Sequence, residues 1–344
     1  MARTASSFRM WTQIQSQADE LARLLDADEP IAAAARLLGN AERIFTVGTG
    51  TSSNAASSAA TMLRRAGLDA NAWAAHDFAQ YGPTLRSGDA TLVFSHSGRK
   101  QFTRDALAQF AAAGVPTVWV ASTEAEANPA TVTLRTVARE TSSAFTVSHT
   151  AAMLLTARVA DAIAPGCVGS PADVPPAIAT ALAGEPALAS LADAWQDRAS
   201  FVAVGAGPQE PSAHEVAIKI NEAARMRARG YAVEQFLHGP QAQMQPDDAL
   251  IVFATAGAAL DRARVVAQFG LDIGLPVAWI SPEAAPEGAV AIPVPDVGEW
   301  LAPIVQAVPG QLLAAHLAAL QDVDADSFRL DDPPFKRAFE RYDL

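Results

Sequence analysis

Hydroxyl side chains gather at three points in the first half of the chain, each after an apolar run: Thr51, Ser52 and Ser53 in GTGTSSN, Ser95 and Ser97 in SHSG, and Thr141, Ser142 and Ser143 in ETSSAFT. Such positions fall at the carboxyl ends of parallel strands, where the next helix presents free N–H groups and a positive dipole end to an anion. A single serine there serves equally well as a helix cap. Three clusters in one domain point instead to a phosphate or phosphosugar, because hydroxyls and main-chain N–H groups satisfy a dianion without a paired cation. The second half offers different chemistry. In PSAHEVAIKINEAARMRA, Glu215, Lys219 and Glu222 recur at i, i+4 and i+7 on one helical face, beside Val216, Ile220 and Ala223. Surface ion pairing explains that spacing, and so does acid–base work. His238 stands in a Gly-Pro turn, FLHGP, either as a plain loop residue or as a partner of Glu222. A carboxylate and an imidazole beside a sugar phosphate would move a proton between C1 and C2.

The elements that must position these residues repeat. IFTVGTG (44–50) matches FVAVGAG (201–207), TLVFSHSG (91–98) matches LIVFATAG (250–257), and VPTVWVAS (115–122) matches LPVAWISP (275–282), at offsets of 157, 159 and 160 positions. β-Branched runs alternating with helical stretches are the pattern of βαβ units around a parallel sheet buried on both faces. The expectation is a duplicated α/β domain. An N-terminal helical segment (1–38) precedes the first copy (39–165). A Pro/Gly-rich stretch with helix (166–195) joins it to the second copy (196–322). A charged tail (323–344) follows, solvated or folded back on the site. The second copy controls for the serines: GAGPQEP and ATAGAAL keep the turns and lose the hydroxyls. The fold alone therefore does not demand them.

Composition narrows the class. With 344 residues, 50% apolar and 18% charged, the chain is globular, and a net charge of −12 offers no basic stripe for nucleic acid. No apolar run approaches the roughly 20 residues of a spanning helix, and MARTASSFRM lacks a signal-peptide core; a cytoplasmic protein without nucleic-acid or membrane partners is expected. The one cysteine, Cys167, forms no internal disulfide and belongs to no Cys/His cluster, so neither a metal nor a cofactor is called for.

These motifs resemble the double sugar-isomerase-domain (SIS) family: the isomerase half of glutamine:fructose-6-phosphate aminotransferase, stand-alone amino-sugar-phosphate deaminases and 6-phosphofructosamine deglycases. GTSSN, SHSG, AFT, HEVAIKINE and FLHGP correspond to the family's GTSxN, SxSG, SFT/AFT, EGALKLKE and xKHGP, while MWTQIQSQA and AHDFAQY resemble its MxxEIxEQP and SEFRY segments. The resemblance implies two tandem SIS domains, each a flavodoxin-like three-layer α/β/α unit. It implies that Ser52, Ser95, His96 and Ser97 line the phosphate pocket, with Thr141 and Ser142 near the sugar; Thr51, from the hydroxyl cluster, and Lys100 are expected to join them. Glu222 would shuttle the proton, Glu215 and Lys219 would order the site, and His238 would reach the pocket from the partner subunit of a homodimer. Lys336, the one lysine of the tail, would be the imine-forming candidate.

The chain departs from the family at three places. Lys100 stands where threonine is usual, with Arg99 before it; Ser143 replaces a lysine; and Arg329 lies seven residues before Lys336 rather than about four. The expectation is a phosphosugar isomerase or deaminase without a glutaminase half. A fructosamine-6-phosphate deglycase and a non-catalytic sugar-phosphate sensor are the alternatives.

Overall fold

The structure, a computed structural model, describes residues 3–126 and 130–342. Met1, Ala2, Asp343 and Leu344, at the outer ends of the N-terminal segment and the tail, lie outside the described residues. Three short helices, α1 (Arg9–Gln15), α2 (Gln17–Arg23) and α3 (Asp28–Gly39), come first. The first α/β unit follows as β1 (Arg43–Gly48), α4 (Thr51–Arg65), β2 (Ala70–Ala74), α5 (Ala75–Tyr81), β3 (Asp89–Phe94), α6 (Gln101–Ala112), β4 (Thr117–Ala121), β5 (Val132–Arg135) and α7 (Val147–Ile163). Two helices, α8 (Val174–Ala183) and α9 (Glu185–Trp195), join it to the second unit. That unit runs β6 (Ser200–Gly205), α10 (Glu210–Lys219), β7 (Ala228–Ala232), α11 (Val233–Leu237), β8 (Asp248–Phe253), α12 (Leu260–Asp272), β9 (Val277–Ser281), β10 (Val290–Pro293) and α13 (Ala302–Leu320), and α14 (Pro333–Tyr342) ends the described chain.

Each unit holds one five-stranded, all-parallel sheet, ordered β2-β1-β3-β4-β5 in the first and β7-β6-β8-β9-β10 in the second. The repeated sequence thus gives a repeated doubly wound topology, with the order reversing beside the first strand of each unit. Alternate residues of the central strands face different cores, as parallel burial requires. Ile44, Leu92 and Phe94 join a large core that also contains Val216, Ile304 and Met10, and so runs through both units and the N-terminal helices. Phe45, Val47 and Val93 turn to the outer core under α5 and α6. The same outer layer in the second unit centres on Val204, Phe236 and Trp279.

Two polar features tie the parts together. Buried Gln17 donates to Gln311 Oε1 (2.9 Å) and accepts from Thr150 Oγ1 (2.8 Å), so one amide links α2, α7 and α13. Asp326, in the tail, accepts the N–H groups of Arg9 and Met10 at 2.8 and 2.9 Å, capping α1 with a carboxylate placed 316 residues further on. Residues 323–332 are therefore folded onto the body rather than solvated.

The structure corrects the sequence reading of the apolar runs. α13 is, among the described residues, a single 19-residue helix long and apolar enough to cross a bilayer, yet most of it is buried inside the protein. Pro309 and the interspersed glutamines hide this in the sequence, and apolarity on every side is the mark of a helix enclosed by its own fold.

The turns after β1 and β6 are so tight that a side chain has no room. A Cβ at Gly48 would lie 2.2 Å from the Ser52 carbonyl oxygen, and one at Gly205 would lie 2.1 Å from that of Gln209. Gly205→Ala must therefore displace a backbone turn, and is expected to cost about 3 kcal/mol. Urea unfolding of the variant should show a lower midpoint at unchanged slope.

Candidate functional site

A cleft of about 500 Å3 opens at the carboxyl end of the first sheet, and both units contribute to its walls. Thr51 and Ser52 come from the first turn of α4, and Ser95, His96, Ser97 and Lys100 from the turn between β3 and α6. Thr141 and Ser142 enter from the loop before α7, and Lys219 and Glu222 from the second unit. Of the residues singled out in the sequence, these ten and Ser143 meet in one place. Glu215 stands just behind them, 1% exposed.

The acid–base residues are not surface ion pairs. Lys219 is 1% exposed, and its ammonium lies 2.6 Å from Glu222 Oε2 and 3.7 Å from Glu215 Oε1. Glu215 in turn accepts from Thr51 Oγ1 (3.2 Å) and Asn54 Nδ2 (2.8 Å), which stitches α10 of one unit to the start of α4 in the other. Burial works against the Lys219 charge, but Glu222 and Glu215 more than offset it and hold the ammonium above its ordinary range. Burial also pushes the Glu222 carboxyl up, with Lys219 opposing; Glu215, held by His149, Lys219 and its two donors, stays below the usual value despite its own burial. Two carboxylates seven residues apart are thus driven in opposite directions, and Glu222 is the one suited to accept and release a proton.

The regular helix implied by the i, i+4, i+7 spacing ends at Lys219. Ile220–Ala224 form a π-helical turn that carries Glu222, closed by Arg225 in the left-handed region (φ 57°). The wider turn re-aims Glu222 while keeping it beside Lys219, a use of π geometry common at functional sites. Arg225 hydrogen-bonds Asp331 and Ser327, so the tail braces this turn.

The three hydroxyl clusters prove unequal. α7 starts at Val147 rather than near residue 144, and its N-terminus is already taken by a carboxylate. Glu140 accepts from Thr146 N (2.9 Å), Thr146 Oγ1 (3.0 Å), Ser148 N (2.8 Å) and Ser148 Oγ (2.5 Å), and Gln13, with its amide oriented to satisfy both ends, adds a fifth donor at 3.0 Å. Ser142 Oγ is spent on Ala144 N–H within the loop. At the start of α4 the N–H groups of Ser52, Ser53 and Asn54 already bond Thr49 and Gly50, and Thr51 Oγ1 is held by Glu215, so the Ser52 hydroxyl and the start of α6 are what these clusters offer an exogenous anion. Glu140, Arg139 and His149 went unnoticed in the sequence; no spacing rule flags a carboxylate six residues ahead of the helix cap it serves.

His96 is buried against Phe145 and takes the Glu140 N–H on Nε2 at 3.3 Å. Burial, with Arg139 adding to it, pushes its pKa down to about 4, so the ring is neutral at neutral pH and cannot serve as a counter-cation. Phe328, Leu330 and Phe339 of the tail close one side of the cleft. The neighbouring Lys336 does not line it: its ammonium is 60% exposed and 3.9 Å from Glu340. His238 also lies outside the cleft within one chain, 72% exposed beside Glu234. Among the described residues no group of three or more His, Cys, Asp or Glu is placed to hold a metal ion.

Comparison with known proteins follows the same lines. Residues 37–160 match the SIS domain family. The chain is 30% identical to glutamine–fructose-6-phosphate aminotransferase (isomerizing) of Zymomonas mobilis over 85% of its own length and 51% of that protein's. It spans about half the length of the curated relatives it matches. The C-terminal domain of glucosamine-fructose-6-phosphate aminotransferase from Francisella tularensis superposes with a TM-score of 0.84 at 19% identity, over 92% of this chain and 97% of that one. Glucosamine-6-phosphate deaminase from Thermotoga maritima does so with a TM-score of 0.76 at 18% identity, over 93% and 97%.

The depressed His96 makes a pH prediction. The unfolded chain binds a proton at this ring near pH 6.5 and the folded chain only near 4, so the unfolded state holds more protons in between and stability rises with pH. The contribution present above about pH 6.5 is lost on acidification to about pH 4, of the order of 3 kcal/mol at most. In chemical unfolding, His96→Gln should flatten the wild-type fall in stability across that window.

Proposed function

Because residues 37–160 are a SIS domain and the chain is homologous to the isomerase half of glutamine–fructose-6-phosphate aminotransferase, we propose that it is a phosphosugar enzyme that moves a proton between C1 and C2 of a hexose 6-phosphate derivative. An amino-sugar 6-phosphate losing ammonia is the substrate class we favour. One observation carries this reading: the hydroxyl-bearing turns of the first unit and the buried Lys219–Glu222 pair of the second face the same cleft.

In the proposed mechanism the phosphate sits on the Ser52, Ser95 and Ser97 hydroxyls and the N–H groups opening α6, with Lys100 on the solvent side. The open-chain sugar then extends toward Glu222. Its carbonyl acidifies the C2–H bond, Glu222 takes that proton, and the resulting enaminol is reprotonated at C1. The product is a C2 imine, to which water adds and from which ammonia leaves. Lys219 keeps Glu222 oriented and supplies a fixed positive charge while the enolate oxygen develops. Glu222 stays below the carbon chain because its turn is braced by Arg225, and orientation of this kind provides much of the rate. Lys336 has no necessary step here, since water serves as the nucleophile. His238 enters only from the partner subunit of the proposed homodimer, as a proton donor for ring opening.

A second reading is favoured by a side pocket of about 180 Å3 that shares Ser97 and Arg139 with the cleft and is bordered by Arg99, Glu124 and Glu126. Among the described residues neither arginine makes an ion pair, and together with the two glutamates they offer both charges an amino acid needs. A 6-phosphofructosamine would fit there, with its amino acid in the side pocket, and the protein would then act as a deglycase.

Deuterium wash-in at C1 and C2, followed by proton NMR over a panel of hexose, amino-hexose and fructosamine 6-phosphates, tests both readings. Glu222→Gln should lower the exchange rate by roughly 100- to 10,000-fold while still binding the sugar phosphate; binding without exchange in the wild type would instead make the protein a sensor. Arg139→Ala separates the substrates: about a tenfold rise in KM for fructosamine 6-phosphates alone supports the deglycase, and no selective change supports the deaminase.

A further inference from the structure

Left-handed backbone is uncommon for residues with a side chain, and it persists only where the surroundings impose it. Among the described residues four non-glycine positions adopt it, and three of them, Arg225, Phe328 and Arg329, meet at one junction. Arg225 ends the π turn that carries Glu222. Phe328 and Arg329 belong to a short loop of the tail, residues 327–331. Its neck is closed by Ser327 Oγ donating to Asp331 Oδ1 at 2.8 Å and by the Leu330 N–H donating to the Ser327 carbonyl at 2.9 Å. Arg225 Nη2 grips that neck, donating to Ser327 Oγ at 3.1 Å and to Asp331.

The same loop brings Phe328 and Leu330 to the wall of the cleft, where Phe328 meets Phe339 of α14 edge to face at 5.4 Å. One guanidinium thus joins the segment that bears the proposed base to the segment that closes the pocket. It has no alternative anchor. Its Nε is buried without a partner, and Ser327 and Asp331 are the only acceptors it reaches among the described residues. The root of the loop is fixed separately, because Asp326 accepts the N–H groups of Arg9 and Met10. Loss of the Asp331 carboxylate therefore frees the neck and the π turn without detaching the tail. Once free, the turn can relax toward ordinary helical winding, which points Glu222 in another direction.

We propose that Asp331 is a positioning residue for Glu222, acting through Arg225, so that the carboxylate is set against the substrate only while the tail loop is seated. This role rests on the reading of Glu222 given above; the mechanical link between loop and turn does not.

Amide hydrogen exchange read by mass spectrometry tests the link without turnover. Asp331→Ala should speed exchange in residues 220–226 and 327–339 together while α7 stays protected. The Asp331 side chain is 46% exposed, so the variant keeps its core, and α7 serves as the internal reference. Faster exchange in the tail alone would overturn the link. Deuterium wash-in tests the role. Asp331→Ala should lower the rate at saturating substrate roughly 10- to 100-fold while the affinity for inorganic phosphate stays within about twofold, and Asp331→Glu should recover part of the rate. The Arg225→Met, Asp331→Ala double variant should lose no more than the worse single one, because the two residues act in series. A rise in KM at unchanged rate, which a plain cleft wall would give, or losses that multiply in the double variant, would overturn the positioning role. A wild type that exchanges no deuterium into any sugar phosphate overturns the proposed reaction and the positioning role with it, while hydrogen exchange still decides the link.

Discussion

A single cation enclosed by protein, Lys219, is the constraint around which the two units are arranged. Removing an ammonium from water is tolerable only with partners, and breaking a buried pair costs about 3–5 kcal/mol. Its two carboxylates have different duties. Glu215 is turned toward the first unit and anchored by Thr51 and Asn54, while Glu222 is turned into the cleft. Both carboxylates stand on the same segment as Lys219, so the charge is compensated within the second unit. What ties the halves together is Glu215, whose remaining acceptor capacity is met by Thr51 and Asn54 of α4, and these bonds set the hydroxyl-lined turn beside the carboxylate.

Duplication makes that division of labour possible. Both units keep the strand order, the glycine at the first tight turn and an aspartate opening the third strand: Asp89 binds Arg43 (2.8 Å), and Asp248 binds Ser200 (2.8 Å). What differs is what stands on the shared frame. Where the first unit has Ser95, His96 and Ser97, the second has Ala254, Thr255 and Ala256, and the helix in the place of α4 begins with a 3-10 turn and carries Glu215 and Lys219. One copy is free to collect donors for an anion and the other to collect titratable groups. Their shared core keeps both rigid, since the largest cluster of buried side chains runs through the two units without a break.

The cleft holds more carboxylate than its sequence motifs suggest, and this sharpens its selectivity. Glu140 fills the N-terminus of α7, so a phosphate is confined to the Ser52 hydroxyl and the start of α6 and cannot slide along the rim. Of the exposed cations that line the cleft, Lys100 caps the start of α6 and Arg139 stands beside Glu140. A doubly anionic ligand is therefore met by hydroxyl donors within and by exposed positive charge at the entrance, an order that draws an anion in.

The repeat, the parallel sheets, the tight turns and most of the cleft-lining residues were legible in the sequence, because alternating burial and strand-end hydroxyls are local patterns tied to a fixed backbone period. Glu222 lines the cleft, but the regular helix expected to carry it is not there: a π turn leaves no mark in residue spacing. Glu140 was invisible for a related reason, since a buried polar group declares itself only through partners far along the chain, as Glu140 does with Gln13. The tail read as solvated or folded until Asp326 was seen capping α1. Periodicity, a property of neighbours, was decided by the sequence itself; which buried charges face each other, and which helix ends stay open, was decided only when distant segments closed around them, because electrostatic compensation depends on distance in space.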